Sequence, residues 1–263
     1  MVRILLFASA LCFVGCSHAP ETGRSQLIMM SSTQEIKLGD EAFLEILKKE
    51  KTVSSGATYN MVQRVGEKVA LGASRLYPDV VRGYEWKFAL LKDKNNVNAW
   101  ALPGGKCAVY TGLLSVTENE DALAIVMAHE VAHVIARHGA ERATQGMMGT
   151  AVIAGMAMTD MNETDQAIVL GAFGLGIALP FSRTQETEAD QIGLYIAADA
   201  GYDPREAIPL WQRMGRAGKS APAEFLSTHP SSESRISQLR GWMPKAMMYY
   251  DSAIAHEAAI QKH

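Results

Sequence analysis

The pentapeptide His129-Glu130-Val131-Ala132-His133 constrains this chain more than any other stretch, because it lies inside an apolar run that reads as a helix. Residues four apart share one face of a helix. The two imidazoles can therefore close on a single Zn²⁺, at about 2.0–2.1 Å each. Glu130 stands beside the first histidine, where a carboxylate can take a proton from a metal-bound water. Zinc hydrolysis needs a third protein ligand and an open fourth position, so the rest of the chain has to supply at least one more donor.

With 263 residues, 48% of them apolar, the chain can bury a core without disulfide staples, as one domain with small appendages. A net charge of -3 and the lack of any basic run leave nucleic-acid binding without electrostatic support. The N-terminus reads as a leader. Arg3 is followed by the apolar run Ile4 to Val14, too short to span a bilayer, and then by Gly15-Cys16. Phe13-Val14-Gly15-Cys16 resembles a bacterial lipobox. Residues 1–15 are then a lipoprotein signal peptide, and Cys16 is the lipidated first residue of the mature chain. Ordinary cleavage after a small residue is the plainer alternative. Ser17 rather than Asp follows Cys16, which by resemblance to sorted lipoproteins favours the periplasmic face of the outer membrane. Cys12 leaves with the leader and Cys16 is acylated, so Cys107 is left alone, read as a small buried hydrophobe.

Residues 16–33 are polar, with Pro20 and Gly23, and read as a flexible tether. Helical stripes follow over 34–50 and 58–76, then a strand at 84–91. Asn98 to Gly105 and Lys106 to Thr111 read as strand, glycine turn and strand. Thr117 and Glu120 have capping-box spacing for the helix that carries the pentapeptide, which is expected to end near His138-Gly139. Two apolar stretches rich in Gly, Ala and Met, 146–158 and 167–181, suggest a packed hairpin, with a membrane-touching or substrate-facing lid as the other reading. Ser182 and Gln185 cap a helix to about Ala200. Asp203-Pro204 opens another, which Pro209 is expected to kink, before a loop at 215–220. An amphipathic helix carries Arg235, Ile236, Leu239 and Trp242. The domain is taken as 34–245, with 246–263 a tail.

A third ligand is not next to the motif. Positions 136 and 139 hold Ala and Gly, which rules out the Gly and His of the metzincin pattern. His138 is off the site's face and reads as structural or exposed, and Glu141 follows too closely. The helix from Ser182 fits better. Glu186 and Asp190 lie on one of its faces, with Glu188 roughly opposite. One carboxylate of that pair can bind zinc while the other accepts the free N–H of a ligand histidine. Compensation of the helix dipole is the bland account of the same pair.

Together these segments resemble the M48 (Ste24/Oma1-like) zinc metallopeptidases. The resemblance is carried by Asn98 to Gly105, Thr111-Gly112-Leu113-Leu114, the pentapeptide helix, Ser182-Arg183 with Glu186-x-x-x-Asp190, and His229-Pro230 with Arg235-Ile236. It covers about residues 34–242 and looks like the small bacterial lipoprotein branch. It implies an α+β, mainly α-helical fold of the gluzincin type, with a small sheet whose edge strand flanks the zinc helix. It implies one Zn²⁺ on His129, His133 and Glu186, with Glu130 as general base and Asp190 behind the ligands. Lys106, Cys107, Ala108, Val109 and Tyr110 would form the edge that pairs with an extended substrate. His229 would either stabilise the oxyanion or fill the fourth zinc position as a gate, unless it merely enters a helix, and Arg235 would anchor that loop or the substrate.

The function so implied is endopeptidase cleavage of misfolded or unassembled envelope proteins by a chain tied to the membrane through Cys16. A chaperone-like binder with latent proteolysis is the rival reading. A hydrolase of peptidoglycan cross-links is weaker, since nothing resembles a wall-binding module.

Overall fold

A computed structural model describes residues 16–154, 181–220, 224–229 and 233–260. The leader, and the apolar stretches between 155 and 180, lie outside these residues. The fold is α+β and mainly helical. Helices α1 (Ser32–Lys49) and α2 (Ala57–Leu76) precede the pentapeptide helix α4 (Glu120–Ile135). A one-turn α3 (Leu114–Thr117) leads into α4, and α5 (His138–Ala154) follows it. Then come α6 (Arg183–Asp199), a 3₁₀ turn (Pro204–Glu206), α7 (Ala207–Ser220), the short α8 (Glu224–Thr228) and the long α9 (Glu233–Ile260).

Every residue of α4 from Ala122 to Ile135 is buried. The helix is therefore apolar all round rather than on one stripe, as a central helix must be. Its start differs from the expected capping box. Thr117 ends α3, Glu118 takes a left-handed turn (φ 67°), and the Asn119 side chain accepts from Ala122 N–H as the cap. Helix α6 packs along α4 and crosses it closely at Gly193. A side chain there would stand 2.8 Å from the His129 backbone nitrogen. The expected capping box of Ser182 and Gln185 is present. Pro209 does not kink α7, because it falls in the first turn, where its missing N–H has no intrahelical partner to lose. Residues 215–220 continue that helix instead of forming a loop.

Four strands form the main sheet, in the order β3 (Thr52–Val53), β4 (Lys87–Leu91), β6 (Lys106–Tyr110), β5 (Ala99–Leu102). β4 and β6 are parallel and the outer pairings antiparallel. This corrects one expectation. Lys106 to Tyr110 is an interior strand, hydrogen-bonded on both sides, and cannot accept a further peptide. The edge beside α4 is β5, joined to β6 through Gly104 and Gly105, whose φ of 84° and 82° suit only glycine without strain. Within β6, Lys106 is buried and donates from Nζ to Glu85 O (2.7 Å) and Gly104 O (3.0 Å). Cys107, Ala108 and Val109 are core residues.

Two boundaries also shift. The segment read as a tether is folded. β1 (Cys16–His18) pairs with β2 (Ser25–Leu27), Ala19, Ile28 and Met30 are buried, and α1 begins at Ser32. Of the segment read as a tail, residues 246–260 belong to α9, which continues through Pro244 to Ile260. Ala246 is buried, and Tyr249 packs on Tyr195 with ring centroids 5.5 Å apart.

Candidate metal centre

Two helices and one short segment converge on the pentapeptide. α4 brings His129, Glu130 and His133, α6 brings Glu186 and Asp190, and His229 directly follows α8, held by its N–H donating to Phe225 O (2.8 Å). All six side chains are buried. His129, His133, Glu186 and His229 each offer a donor atom within 4.8 Å of the others. His129 Nε2 lies 3.2 Å from His133 Nε2 and 3.3 Å from His229 Nδ1. Glu186 Oε1 lies 3.3 Å from His133 Nε2 and 2.9 Å from His229 Nδ1. A tetrahedral ion with donors at about 2.0–2.2 Å has donor–donor edges of about 3.3–3.6 Å. These separations are close to such edges, and three imidazole nitrogens and a carboxylate oxygen converge on one point. The residues fit a metal.

Around this cluster the charges are arranged to keep each group in place. His129 Nδ1 is 3.1 Å from Asp190 Oδ1, an off-axis approach. Arg235, expected to anchor the His229 loop or the substrate, grips the carboxylates. It donates from Nε and Nη2 to Asp190 (2.6 and 2.7 Å) and approaches Glu186 Oε2 at 2.9 Å through Nη1. Its guanidinium also stacks 3.8 Å above the Trp211 ring. Burial alone would raise the Asp190 carboxyl, but Arg235 outweighs it and the group is held below its ordinary range. Glu186 behaves likewise: burial opposes its charge, and the three histidines outweigh burial. In the metal-free protein, burial works against a charge on His129, yet Asp190 and Glu186 raise it to about 9. Glu130 is the exception. Burial pushes its carboxyl up, and Oε1 has no hydrogen-bond partner, standing 3.5 Å from His229 Nε2. A carboxylate so placed is poised to accept a proton.

The residues missed in the sequence lie behind His133. α4 stops at Ile135, Arg137 takes a left-handed conformation (φ 54°), and α5 starts at His138. The chain reversal swings His138 into the core, with Nδ1 2.8 Å from His133 Nδ1 and Nε2 2.9 Å from Glu188 Oε2. Helical spacing placed His138 off the site because it assumed an unbroken helix. The opposite orientation of Glu188 was legible, but not its partner.

A sequence profile described as peptidase family M48 matches residues 57–243, most of the chain. This chain belongs to peptidase family M48. It is 34% identical over 246 residues to the mitochondrial metalloendopeptidase OMA1 of Schizosaccharomyces pombe, covering 90% of this chain and 69% of that one. The Saccharomyces cerevisiae protein of the same name is 30% identical, with 93% and 76% covered. A putative beta-barrel assembly-enhancing protease of Vibrio cholerae is 29% identical over 232 residues, 84% of this chain but 46% of that one. The M48 chain is thus a metalloendopeptidase. Among its described residues no helix is long and apolar enough to cross a membrane.

Proposed function

We propose that the chain is a zinc-dependent endopeptidase of the bacterial envelope, tied to the outer membrane by a lipid on Cys16, that cleaves misfolded or unassembled envelope proteins. The observation that carries the catalytic part is the four-donor cluster with Glu130 beside it, whose Oε1 has no hydrogen-bond partner. Two imidazoles, a carboxylate and a further imidazole suit zinc. His129, His133 and Glu186 would hold the ion, which when bound activates the hydrolytic water and polarises the scissile carbonyl. Glu130 takes the proton and passes it to the leaving amine. Asp190, itself oriented by Arg235, keeps His129 in place. His229 Nδ1 stands at the fourth corner, which supports the gate reading: a substrate has to move it aside.

The substrate strand is reassigned to β5. Tyr110 N–H donates to Asn98 O at 3.0 Å, so these two residues face each other at a hydrogen-bonded site of the antiparallel ladder. Such sites alternate. Ala99 and Ala101 therefore turn their N–H and C=O groups away from β6, and Ala101 also lines a small cleft with His133 and Phe181. An extended peptide added there is held by main-chain bonds, without regard to sequence, which suits unfolded clients. The envelope assignment is supported by the bacterial relatives named beta-barrel assembly-enhancing proteases.

Unfolded casein incubated with the purified protein tests this reading. Fragments are expected that vanish with a chelator and return with zinc. Protection of casein from aggregation without fragments would instead favour the binding-protein reading.

A further inference from the structure

The N-terminal hairpin is bonded to the far side of the metal centre, not only to the surface of the domain. Arg24, in the turn between β1 and β2, donates to Glu188 from Nε (2.9 Å) and Nη2 (2.9 Å), and Thr22 Oγ1 donates to the same carboxylate at 2.7 Å. The guanidinium also meets Glu141 through Nη1 (2.5 Å) and Nη2 (2.8 Å). Two residues on, Gln26 is buried and donates to Ala136 O (2.8 Å), at the end of α4 just beyond His133. Arg137, at the reversal between α4 and α5, donates to Met30 O (2.7 Å). The hairpin thus holds the reversal that delivers His138.

The hydrogen-bond roles along this line admit one assignment if His133 presents Nε2 to a metal. His133 Nδ1 must then carry the proton and donate to His138 Nδ1 (2.8 Å). His138, with Nδ1 as acceptor, carries its proton on Nε2 and donates to Glu188 Oε2 (2.9 Å). Glu188 accepts from His138, Arg24 and Thr22 together, and is 1% exposed, so water does not compete for it. A ligand histidine usually donates directly to a carboxylate, carbonyl or water that fixes its tautomer and ring plane. Here a second histidine intervenes, and the carboxylate behind it is held from the N-terminal segment.

We propose that His138, Glu188 and Arg24 form a positioning relay for His133, through which the docked N-terminal hairpin sets how tightly the centre holds its metal. The proposal rests on the metal-centre reading above. Where the hairpin is displaced, Glu188 loses two of its three donors, His138 its anchor, and His133 its preset orientation.

The mature full-length chain and its His138→Phe, His138→Asn, Glu188→Gln and Arg24→Met variants test this. Zinc affinity is measured by chelator competition, the visible spectrum after cobalt substitution, and the thermal midpoint of each metal-free form. His138→Phe keeps the bulk and removes the acceptor, so zinc affinity is expected to fall about 10- to 100-fold. Asn can place its Oδ1 near the lost Nδ1, and is expected to recover part of that affinity and a cobalt spectrum nearer the wild type. Arg24→Met and Glu188→Gln are expected to weaken zinc binding several-fold without touching a ligand. Should His138→Phe fail to fold, those two still decide the matter. Wild-type affinity and spectrum in Arg24→Met and Glu188→Gln would overturn the relay. So would His138→Phe and His138→Asn losing zinc equally and in step with their metal-free midpoints, which is packing damage. A wild-type chain that takes up no zinc would overturn the centre and the relay together.

Discussion

Arg235 and Asp190 form a two-pronged pair in the core, Nε to Oδ2 at 2.6 Å and Nη2 to Oδ1 at 2.7 Å. The same Oδ1 stands 3.1 Å from His129 Nδ1. A planar guanidinium fits this fork, and a lysine ammonium does not. Arg235→Lys is therefore expected to destabilise the metal-free protein by about 1–3 kcal/mol and to weaken zinc binding, read by urea unfolding and chelator competition. Wild-type values in both would remove Arg235 from the support of His129.

Glu130 differs from Glu186 and Asp190 in that burial raises its carboxyl while theirs are held low, and its Oε1 has no hydrogen-bond partner. Glu130→Gln keeps the shape and removes the base. Zinc content is expected to remain one per chain, while peptide cleavage falls by about 10²–10⁴-fold. Undiminished cleavage by the zinc-loaded variant would exclude Glu130 as the base. His133→Ala and Glu186→Ala, by contrast, are expected to lose zinc on metal analysis.

His229 touches the cluster at its fourth corner, with Nδ1 3.3 Å from His129 Nε2. If it gates the site, His229→Ala opens that corner: zinc binds more weakly, and turnover per bound zinc rises. If its main part is oxyanion stabilisation, turnover falls by about 10²-fold or more. The gate predicts the rise, and a fall in the zinc-saturated variant would reject it.

What could be read ahead of the fold was what depends on near neighbours in sequence. The pentapeptide, the Ser182 box and the pairing of Glu186 with Asp190 are set within a turn or two of helix. Contacts set by distant chain were not legible. β6 follows β5 in a hairpin, and nothing local shows that β4 covers its other side in parallel register. The strands at 16–18 and 25–27 are three residues each, and Arg24 between them finds its partners, Glu141 and Glu188, more than a hundred residues away. His138 was hidden by the left-handed turn at Arg137. α9 runs through Pro244 to Ile260, past the domain end expected at 245, and Tyr249 there packs on Tyr195 of a distant helix.

Among the described residues β5 is the sheet edge beside α4, and Ala101 faces outward at a site not bonded to β6. Proline is tolerated at an edge position whose N–H points off the sheet. Ala101→Pro is expected to preserve zinc content and thermal midpoint but raise KM about tenfold or more, by removing one main-chain donor to the substrate and crowding its neighbour. An unchanged KM would move substrate binding elsewhere.

Glu188 supplies a prediction in pH. Burial opposes its charge, but His138, Arg24 and Thr22 bring its folded value to about 2, against an ordinary 4.5. A depressed carboxylate stabilises the fold above its unfolded value, and that contribution drains as pH falls through the folded one. Its full size is on the order of 3 kcal/mol. Urea unfolding of metal-free wild type and Glu188→Gln is therefore expected to show a stability gap that is constant above about pH 5 and narrows progressively as pH falls below 4.5. A gap that stays level or widens in acid would mean that Glu188 is not held ionised by Arg24 and His138, and that the line from the hairpin to His133 carries no charge.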